Sequence, residues 1–284
     1  MSEYRDLSAG LAARMALTKY EFHFTHSLGQ NFILDDNLVE SIVSAAGVCE
    51  GHNVLEIGPG AGVMTRHLAE TGANVTAVEV DQSLQPVLSD VLYGFDNARV
   101  VFGDAMKLDM GELMEGKPYS VVANLPYYIT ADVVTRMITQ AHKPKRITIM
   151  VQKEAAERMM ARLGSKSWCA LSATVQYFGQ VKVLMEVPPE AFTPRPHVDS
   201  ALIAIELYDE MPVQAQEEKM MLRVIAALFA MRRKTLLNNL TAAFSVPRET
   251  AQEWLEKAGL DSKIRGEALT LEQAAMLSDV ISAG

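Results

Sequence analysis

The sequence has 284 residues, a net charge of −9 and 49% hydrophobic residues, enough to form a sizeable core. Its acidity excludes a protein that coats nucleic acid through bulk positive charge. No apolar run approaches the roughly 18 residues of a membrane span, and the N-terminus lacks the apolar core of a signal peptide. The two cysteines, Cys49 and Cys169, are too few for a disulfide framework, and a reducing cytoplasm is expected.

The N-terminal part of the chain is predicted to be helical. Residues 7–17 and Asn37 to Ala46 carry apolar side chains at helical spacing. Between these helices lies Gln30-Asn31-Phe32-Ile33, where two adjacent amides precede an apolar pair. This is an unusual start for a core segment. A cap at the start of the second helix is the simplest structural interpretation of the amides.

A strand, a glycine-rich turn and a helix come next. Asn53 to Ile57 is a short apolar strand that runs directly into the turn. The turn contains Gly58, Gly60 and Gly62, and a helix is predicted over residues 63–70. Glycine lets the backbone approach a ligand closely, and the N-terminus of a helix favours a negative group. By itself such a turn does not identify a ligand.

Acidic side chains stand at the ends of two further strands. One strand ends at Glu79, 19 residues after Gly60, where a carboxylate can accept hydrogen bonds from both hydroxyls of a ribose. The strand over residues 99–102 is followed by Asp104, which could accept from an adenine amine. Because the carboxyl ends of parallel strands meet at one edge, these groups together predict a nucleoside site. Helix caps and solvated turns are the alternative interpretation.

A fourth strand, Tyr119 to Ala123, leads into the tetrad Asn124-Leu125-Pro126-Tyr127. The side-chain oxygen of Asn124 and a backbone carbonyl beside Pro126 can both accept hydrogen bonds from an exocyclic amine. Pro126 fixes φ and so holds that carbonyl in place. Tyr127 offers a stacking face to a planar group. A proline turn whose aromatic residues pack in the core is the alternative.

The cofactor is inferred from these sites together. NAD, FAD and S-adenosylmethionine all contain adenosine, but the glycine spacing is not the Gly-x-Gly-x-x-Gly fingerprint of dinucleotide-binding proteins. A hydride-transfer site also has no need of the tetrad. A methyl donor that faces an amine acceptor fits both features, so S-adenosylmethionine is the predicted cofactor. No metal is expected, because the cysteines and histidines lack the spacing of a ligand set.

The remainder of the chain completes an α/β sheet and then becomes helical. A fifth strand is predicted at Ile147 to Val151, and a final pair at Gln180 to Val187 and Ala201 to Leu207. A polar linker follows Tyr208. Helical patterns alone occur after it, over residues 220–231, 235–244, 248–258 and 271–281. We therefore predict an α/β domain at residues 1–209 and a small all-helical C-terminal domain at residues 210–284.

Several motifs along the chain carry a family resemblance. They are Ser27-Leu28-Gly29-Gln30-Asn31-Phe32, Glu56-Ile57-Gly58-Pro59-Gly60, Glu79-Val80-Asp81, Gly103-Asp104-Ala105, Asn124-Leu125-Pro126-Tyr127, Met150-Val151-Gln152-Lys153-Glu154, Gly164-Ser165-Lys166, the block from Phe192 to Ser200, and Arg232-Arg233-Lys234-Thr235-Leu236. Together they resemble the ribosomal RNA adenine dimethyltransferase family, in particular its bacterial small-subunit branch. The resemblance implies the Rossmann-like fold of class I methyltransferases, with a seven-stranded, mostly parallel sheet. Helices would cover both faces, and one strand of the last pair would be antiparallel.

The resemblance also implies roles for individual residues toward the cofactor. Gln30, Asn31 and Ile33 would contact its methionine end, and Gly58 would approach it through the backbone. Glu79 would hold the ribose and Asp104 the adenine. Asn124 would contact both the cofactor and the target amine. The cofactor-binding residues would be Gln30, Asn31, Ile33, Gly58, Glu79, Asp104 and Asn124.

The implied catalytic residues are Asn124, Leu125, Pro126, Tyr127 and Phe192. Hydrogen bonds from the target amine to Asn124 and to a carbonyl of the tetrad would pull the amine towards tetrahedral geometry. This would expose its lone pair for direct attack on the methyl group. Tyr127 and Phe192 would stack on the two faces of the target adenine, which must leave its own stack. The prolines that flank Phe192 favour a rigid exposed loop, and a phenylalanine packed in the core is the alternative.

The chain departs from the family pattern at three positions. Ile33 stands where most relatives carry Leu, His197 stands in place of Lys, and His26 stands in place of another basic residue. Both histidines remove a permanent charge, so a phosphate contact is in doubt at each of them.

RNA binding by an acidic chain requires local basic clusters. Residues 143–166 contain seven basic residues and two acidic ones, and Arg232-Arg233-Lys234 forms a second cluster. Contacts of this kind to phosphates supply affinity, while shape and base contacts supply register. Solvated helix faces are the alternative interpretation of each cluster.

The predicted function is N6,N6-dimethylation of two adjacent adenosines in the 3′-terminal hairpin of 16S rRNA. The partner would be this RNA within the immature small ribosomal subunit, and the enzyme would be a monomer in the cytoplasm. One alternative is a large-subunit rRNA adenine methyltransferase that confers macrolide resistance. Another is a ribosome-assembly factor in which binding is primary and methylation secondary. The helical domain and Val198-Asp199-Ser200-Ala201 favour the small subunit, and the intact tetrad favours retained chemistry.

Overall fold

The computed structural model describes residues 4–25 and 28–283. Within these residues the helices are α1 (Ala9–Lys19), α2 (Asp36–Ala46), α3 (Val63–Glu70), α4 (Gln85–Val91), α5 (Met110–Leu113), α6 (Thr130–Thr139), α7 (Lys153–Met159), α8 (Ala170–Phe178), α9 (Glu218–Ala230), α10 (Leu236–Phe244), α11 (Arg248–Lys257) and α12 (Leu271–Ser282). The strands are β1 (Phe32–Ile33), β2 (Asn53–Ile57), β3 (Asn74–Glu79), β4 (Ala98–Phe102), β5 (Ser120–Asn124), β6 (Arg146–Gln152), β7 (Gly179–Val187), β8 (Phe192–Thr193) and β9 (Ser200–Leu207).

Seven strands form one mostly parallel sheet, as predicted. Its strand order is β4-β3-β2-β5-β6-β9-β7. The strands from β4 to β6 run parallel to their neighbours, and β9 is antiparallel to β6. The chain proceeds outward from β2 to β4 and then returns to place β5 on the other side of β2. This reversal is the switch point at which open α/β sheets bind ligands.

The central strands are almost completely buried. Residues 54–57 of β2 and 121–123 of β5 are all buried, which explains why these strands are continuous apolar runs rather than alternating ones. Two carboxyl groups interrupt this apolar pattern although they are buried, namely Glu56 within β2 and Glu79 at the end of β3. Buried charges are costly unless they are paired, so these two residues mark this part of the sheet as functional.

A second, two-stranded sheet joins distant parts of the chain. β1 and β8 pair antiparallel, with Phe32 opposite Thr193 and Ile33 opposite Phe192. The pairing fastens the amide-containing segment before β1 to the proline-rich loop between β7 and β9. Its strands are two residues long, and so short a segment has no periodicity to predict it from.

The amides before β1 do not cap the following helix. Asp35 is the N-cap of α2, and its carboxylate accepts a hydrogen bond from Leu38 N at 3.1 Å. The capping interpretation of Gln30 and Asn31 is therefore wrong. The helix predicted over residues 7–17 is found at Ala9–Lys19, because Ser8 caps it by accepting from Leu11 N at 3.4 Å.

The chain divides into two compact units. One comprises the chain up to Ala156 together with Lys182–Leu207, and the other comprises Glu157–Val181 together with the chain from Tyr208 onward. This differs from the predicted division at residue 209, which assigned residues 157–181 to the first domain. The physical reason is packing: α8 lies against α9, and the Trp168 and Phe229 rings meet with centroids 6.2 Å apart. Among the described residues, no helix is long and apolar enough to cross a membrane.

Candidate functional site

A cavity of about 350 Å³ opens at the carboxyl edge of the parallel strands. Its walls are the segment before β1 and the loops that follow β2, β3, β4 and β5. The predicted cofactor residues and the tetrad all line it, namely Gln30, Asn31, Ile33, Gly58, Glu79, Asp104, Asn124, Leu125, Pro126 and Tyr127. The fold thus brings together side chains from five segments that span about 100 positions of the sequence.

The glycine turn after β2 needs glycine for two reasons. Gly58, Gly60 and Gly62 have φ values of 73°, 55° and 82°, a left-handed conformation that side chains rarely adopt. At Gly60 a Cβ atom would also lie 2.8 Å from Cε1 of Phe32. The Phe32 ring of β1 therefore sits directly on the turn, which is possible only because the turn has no side chain there.

Glu79 is a rigidly held carboxylate. Its Oε2 accepts a hydrogen bond from Gly60 N at 3.1 Å, and its Oε1 accepts from Asp81 N at 2.8 Å. The residue is only 4% exposed, and burial raises the pKa of Glu79 despite these two backbone donors. Each oxygen keeps a further lone pair for a hydroxyl donor.

Glu56 is a cavity residue that the sequence reasoning missed. It is fully buried, it lines the cavity, and neither carboxyl oxygen has a hydrogen-bond partner among the described residues. Burial, with the nearby charge of Glu79, raises the pKa of Glu56 to about 8. An acidic residue within an otherwise apolar strand was the signal that could have identified it.

Asp104 lies in the loop after β4. Its Oδ1 accepts from Met106 N at 2.9 Å, and its Oδ2 is 3.5 Å from Lys107 Nζ. The side chain is 40% exposed, so this wall of the cavity is wetter than the wall that carries Glu79.

Both ends of the Gln30 carboxamide bind to the protein. Its Oε1 accepts from Thr25 N at 2.8 Å, and its Nε2 donates to Asp81 Oδ2 at 2.7 Å. The carboxamide thus ties the segment before β1 to the loop after β3. Ile33 is nearly buried, and Asn31 Nδ2 donates to Gly29 O at 3.0 Å.

The tetrad is oriented by hydrogen bonds from outside it. Asn124 Nδ2 donates to Asn31 O at 2.8 Å across 93 positions of sequence, and this fixes the amide with Oδ1 as its acceptor end. Pro126 O accepts from Ile129 N at 3.1 Å and from Thr130 Oγ1 at 3.3 Å, at the start of α6. The Pro126 carbonyl is thus occupied by the helix, whereas Leu125 supplies the carbonyl immediately before the proline.

The two predicted stacking aromatics lie in different surroundings. Tyr127 is half-buried in the cavity wall, and its hydroxyl is 2.6 Å from Ser200 Oγ. Burial raises the pKa of Tyr127. Phe192 is 3% exposed, belongs to the hydrophobic core, and is not among the described residues that line the cavity. The structure brings Tyr127, but not Phe192, to the cavity.

The predicted basic residues are only partly available. Arg146 is structural, because its NH2 donates to Ala45 O at 2.8 Å and its NH1 lies 3.3 Å from Glu206 Oε1. Lys153 pairs with Glu186 at 2.8 Å. In the second unit, by contrast, exposed cations occur at Arg158, Arg162, Lys166, Arg232, Arg233 and Lys234. Arg232 NH2 donates to Lys166 O at 3.3 Å, so the loop over residues 162–167 and the turn after α9 are neighbours.

His197 and His26 are the two histidines that stand in place of basic residues of the family pattern. His197 is exposed in the loop before β9. His26, like Ser27 of the first motif, lies outside the described residues. In residues 4–25 and 28–283 no group of three or more His, Cys, Asp or Glu side chains could hold a metal ion.

The chain matches a known protein family over most of its length. The family model described as ribosomal RNA adenine dimethylase matches residues 21–282. Ribosomal RNA small subunit methyltransferase A of Lachnoclostridium phytofermentans is 44% identical over 273 residues, which cover 93% of this chain and 94% of that protein. The protein of the same name from Clostridioides difficile is 39% identical over 280 residues, or 97% of each chain.

Solved structures are similar as well. A dimethyladenosine transferase from Plasmodium falciparum superposes with a TM-score of 0.71 and 25% identity, covering 86% of this chain and 94% of that one. The 23S rRNA methyltransferase ErmE shares the fold, with a TM-score of 0.64 and 24% identity over 89% of this chain and all of that one. The family match over nearly the whole sequence, together with relatives of about 40% identity, means that this chain belongs to the ribosomal RNA adenine dimethylase family.

Proposed function

We propose that this protein uses S-adenosylmethionine to dimethylate N6 of two adjacent adenosines in the 3′-terminal hairpin of 16S rRNA, within the immature small ribosomal subunit. The observation that carries the proposal is the Asn124 amide, held by the Asn31 carbonyl at 2.8 Å so that its oxygen is an acceptor at the cavity. The relatives with 39–44% identity carry the name small subunit methyltransferase, which supports the choice of RNA.

The cavity residues fit the proposed cofactor. Its volume of about 350 Å³ is in the range of small-molecule sites. Glu79 has one free acceptor position on each oxygen for the two ribose hydroxyls, and Asp104 lies on the wall where the adenine would be. The unpartnered carboxyl of Glu56 fits the ammonium group of the methionine end. When bound, S-adenosylmethionine supplies an electrophilic methyl group.

The chain's own contribution to catalysis is to hold the target amine. Asn124 Oδ1 and the Leu125 carbonyl accept its two N–H bonds, since the Pro126 carbonyl is engaged by α6. Both acceptors are fixed before the substrate arrives, so they stabilise the pyramidal amine without reorganisation. After one methylation a single N–H remains, and either acceptor can hold it.

Tyr127 stacks on the target base in this proposal, and Phe192 supplies the second face. Because Phe192 is almost completely buried, that contact requires its ring to leave the core when RNA binds. RNA affinity comes from the exposed cations of the second unit, which contact phosphates. We place the protein in the cytoplasm as a monomer.

The large-subunit alternative is not favoured. The relatives named for the small subunit reach 44% identity, whereas the likeness to ErmE, at 24% identity, concerns the fold. Primer extension on both rRNAs from a deletion strain separates the two: loss of the modification stop in 16S rRNA alone is expected. A stop lost from 23S rRNA instead would overturn the proposed substrate.

The test of the catalytic proposal is Asn124→Ala. The turn is retained because Pro126 still sets the backbone, but the preorganised acceptor is lost. We expect kcat for methylation of the 16S hairpin within the immature small-subunit particle to fall by roughly 10²-fold or more, with little change in RNA affinity. Asn37→Ala, at an exposed position of α2, is the matched control. Near-normal turnover of Asn124→Ala in a single-turnover assay would overturn the role of the tetrad.

A further inference from the structure

The block Val198-Asp199-Ser200 has no role in the proposed chemistry, yet it reaches the cavity wall. Ser200 is the first residue of β9, is fully buried, and lies opposite Gln152 in the antiparallel pairing with β6. Lys153 N donates to Asp199 O at 3.0 Å, which extends the pairing beyond the end of β6. The backbone on both sides of Ser200 is therefore fixed by the sheet, and its hydroxyl is a rigid point.

This hydroxyl meets the aromatic residue of the tetrad. Ser200 Oγ and the Tyr127 hydroxyl are 2.6 Å apart, a short hydrogen bond between side chains separated by 73 positions of sequence. Tyr127 follows Pro126, whose ring restricts the backbone where the tyrosine begins. The ring is thereby held at both ends, through its backbone at one end and through its hydroxyl at the other.

The position of this ring matters to the reaction. A base stacked on Tyr127 takes its tilt from the ring, while the exocyclic amine must reach the two acceptors at Asn124 and Leu125. Tyr127 is only half-buried, so neighbouring side chains alone do not enclose it. Catalytic geometry must be held within about 0.5 Å and 10–20° to be productive, which a ring whose outer end could swing away from the base would not achieve.

We infer that Ser200 is a positioning residue for methyl transfer: its buried hydroxyl fixes the outer end of the Tyr127 ring and so keeps the stacked adenine in line with the amine acceptors of the tetrad. This inference rests on the proposed function. It differs from a purely structural role, in which the two hydroxyls only satisfy each other's hydrogen-bonding capacity and stabilise the fold.

A double-mutant cycle tests the inference. Tyr127→Phe, Ser200→Ala and the double variant are compared with the wild type in single-turnover methylation of the 16S hairpin within the immature small-subunit particle, alongside RNA affinity and melting temperature. Each single change should slow transfer roughly tenfold, the size expected for one hydrogen bond, with RNA affinity little altered. The double variant should be no slower than either single one, because both remove the same bond.

Two further variants separate positioning from stability. Ser200→Thr keeps a hydroxyl and should recover most of the transfer rate. Ser278→Ala, at an equally buried serine of α12, should change the rate by less than twofold whatever it does to the melting temperature. If Ser200→Ala does not fold, Tyr127→Phe still tests the same bond because it keeps the ring.

Three results would overturn the inference. Transfer rates within twofold of wild type in Tyr127→Phe would mean that the bond does not align the base. Rate losses that multiply in the double variant would mean that the two hydroxyls act independently. A wild-type chain that cannot methylate the hairpin within the immature small-subunit particle would instead reject the proposed function itself, and this inference with it.

Discussion

Two carboxyl groups of the cavity, on the neighbouring strands β2 and β3, are both buried but are held differently. Glu79 accepts hydrogen bonds from the backbone N–H groups of Gly60 and Asp81, which stabilise its charged form. Neither oxygen of Glu56 makes a hydrogen bond of good geometry among the described residues, and the neighbouring Thr65 hydroxyl offsets the effect of burial only in part. Burial raises the pKa of both groups, and to about 8 for Glu56. Glu56 therefore holds its proton at neutral pH, and a cationic group brought next to it would favour the charged form.

This difference predicts how stability varies with pH. An ordinary carboxyl of an unfolded chain loses its proton near pH 4.5, whereas folded Glu56 keeps its proton until about pH 8. The folded state binds the extra proton between these values, so stability falls as the pH rises through this window. Glu56→Gln cannot titrate and should gain stability over the wild type as the pH rises from 5 to 8.

Urea unfolding without cofactor at several pH values measures this effect. Glu40→Gln, at an exposed position of α2, is the control and should follow the wild-type profile. Parallel profiles of Glu56→Gln and wild type across the window would show that Glu56 titrates normally in the folded protein.

The glycine turn after β2 is the point where β1, β2 and β3 contact one another. Gly60 N donates to Glu79 at the end of β3, while the Phe32 ring of β1 lies against Gly60. Phe24 packs on Phe32 with ring centroids 5.1 Å apart. The β2–α3 turn, β1 and β3 therefore keep their geometry together, and a change at Gly60 should be felt at the ribose carboxylate.

Gly60→Ala tests this coupling, with Gly51→Ala as its control. Both glycines have positive φ, 55° and 78°, so both substitutions cost roughly 1–2 kcal/mol of backbone strain. A Cβ at Gly51 meets no atom within 4 Å, whereas at Gly60 it collides with Phe32. Both variants should have a lower melting temperature than the wild type. Only Gly60→Ala should lose affinity for S-adenosylmethionine, as measured by calorimetry. Equal affinities in the two variants would contradict the coupling.

The sequence pattern predicted features of the molecule that follow from the order of its strands and helices. Strand ends with polar residues predicted the cavity, because parallel strands must present their carboxyl ends at one edge. Phe192 shows the limit of such reasoning. Its flanking prolines suggested an exposed loop, but the two-residue pairing of β8 with β1 buries its ring. The grouping of residues 157–181 with the C-terminal helices could not be predicted from the sequence pattern either, since it depends on packing between segments distant in sequence.

Net charge is the remaining property of the whole molecule, and it conflicts with the proposed substrate. A chain of charge −9 is repelled by RNA at long range, so local cations must supply the affinity. In the second unit, Lys166 and the Arg232-Arg233-Lys234 turn are brought together by the hydrogen bond from Arg232 to Lys166 O. Glu267 lies 3.3 Å from Arg232, which leaves Lys166 and Arg233 as the better choices for reversal.

The double variant Lys166→Glu with Arg233→Glu should therefore weaken binding to the small-subunit particle while cofactor affinity stays unchanged. The slope of log affinity against log salt should become shallower by about one for each RNA phosphate that the variant no longer neutralises. Lys219→Glu with Lys257→Glu changes the net charge equally at exposed positions of α9 and α11, and it serves as the control. Binding measured across a salt titration distinguishes the two cases. If both double variants bind the particle equally weakly, net charge governs binding and the cluster around Arg232 is not an RNA surface.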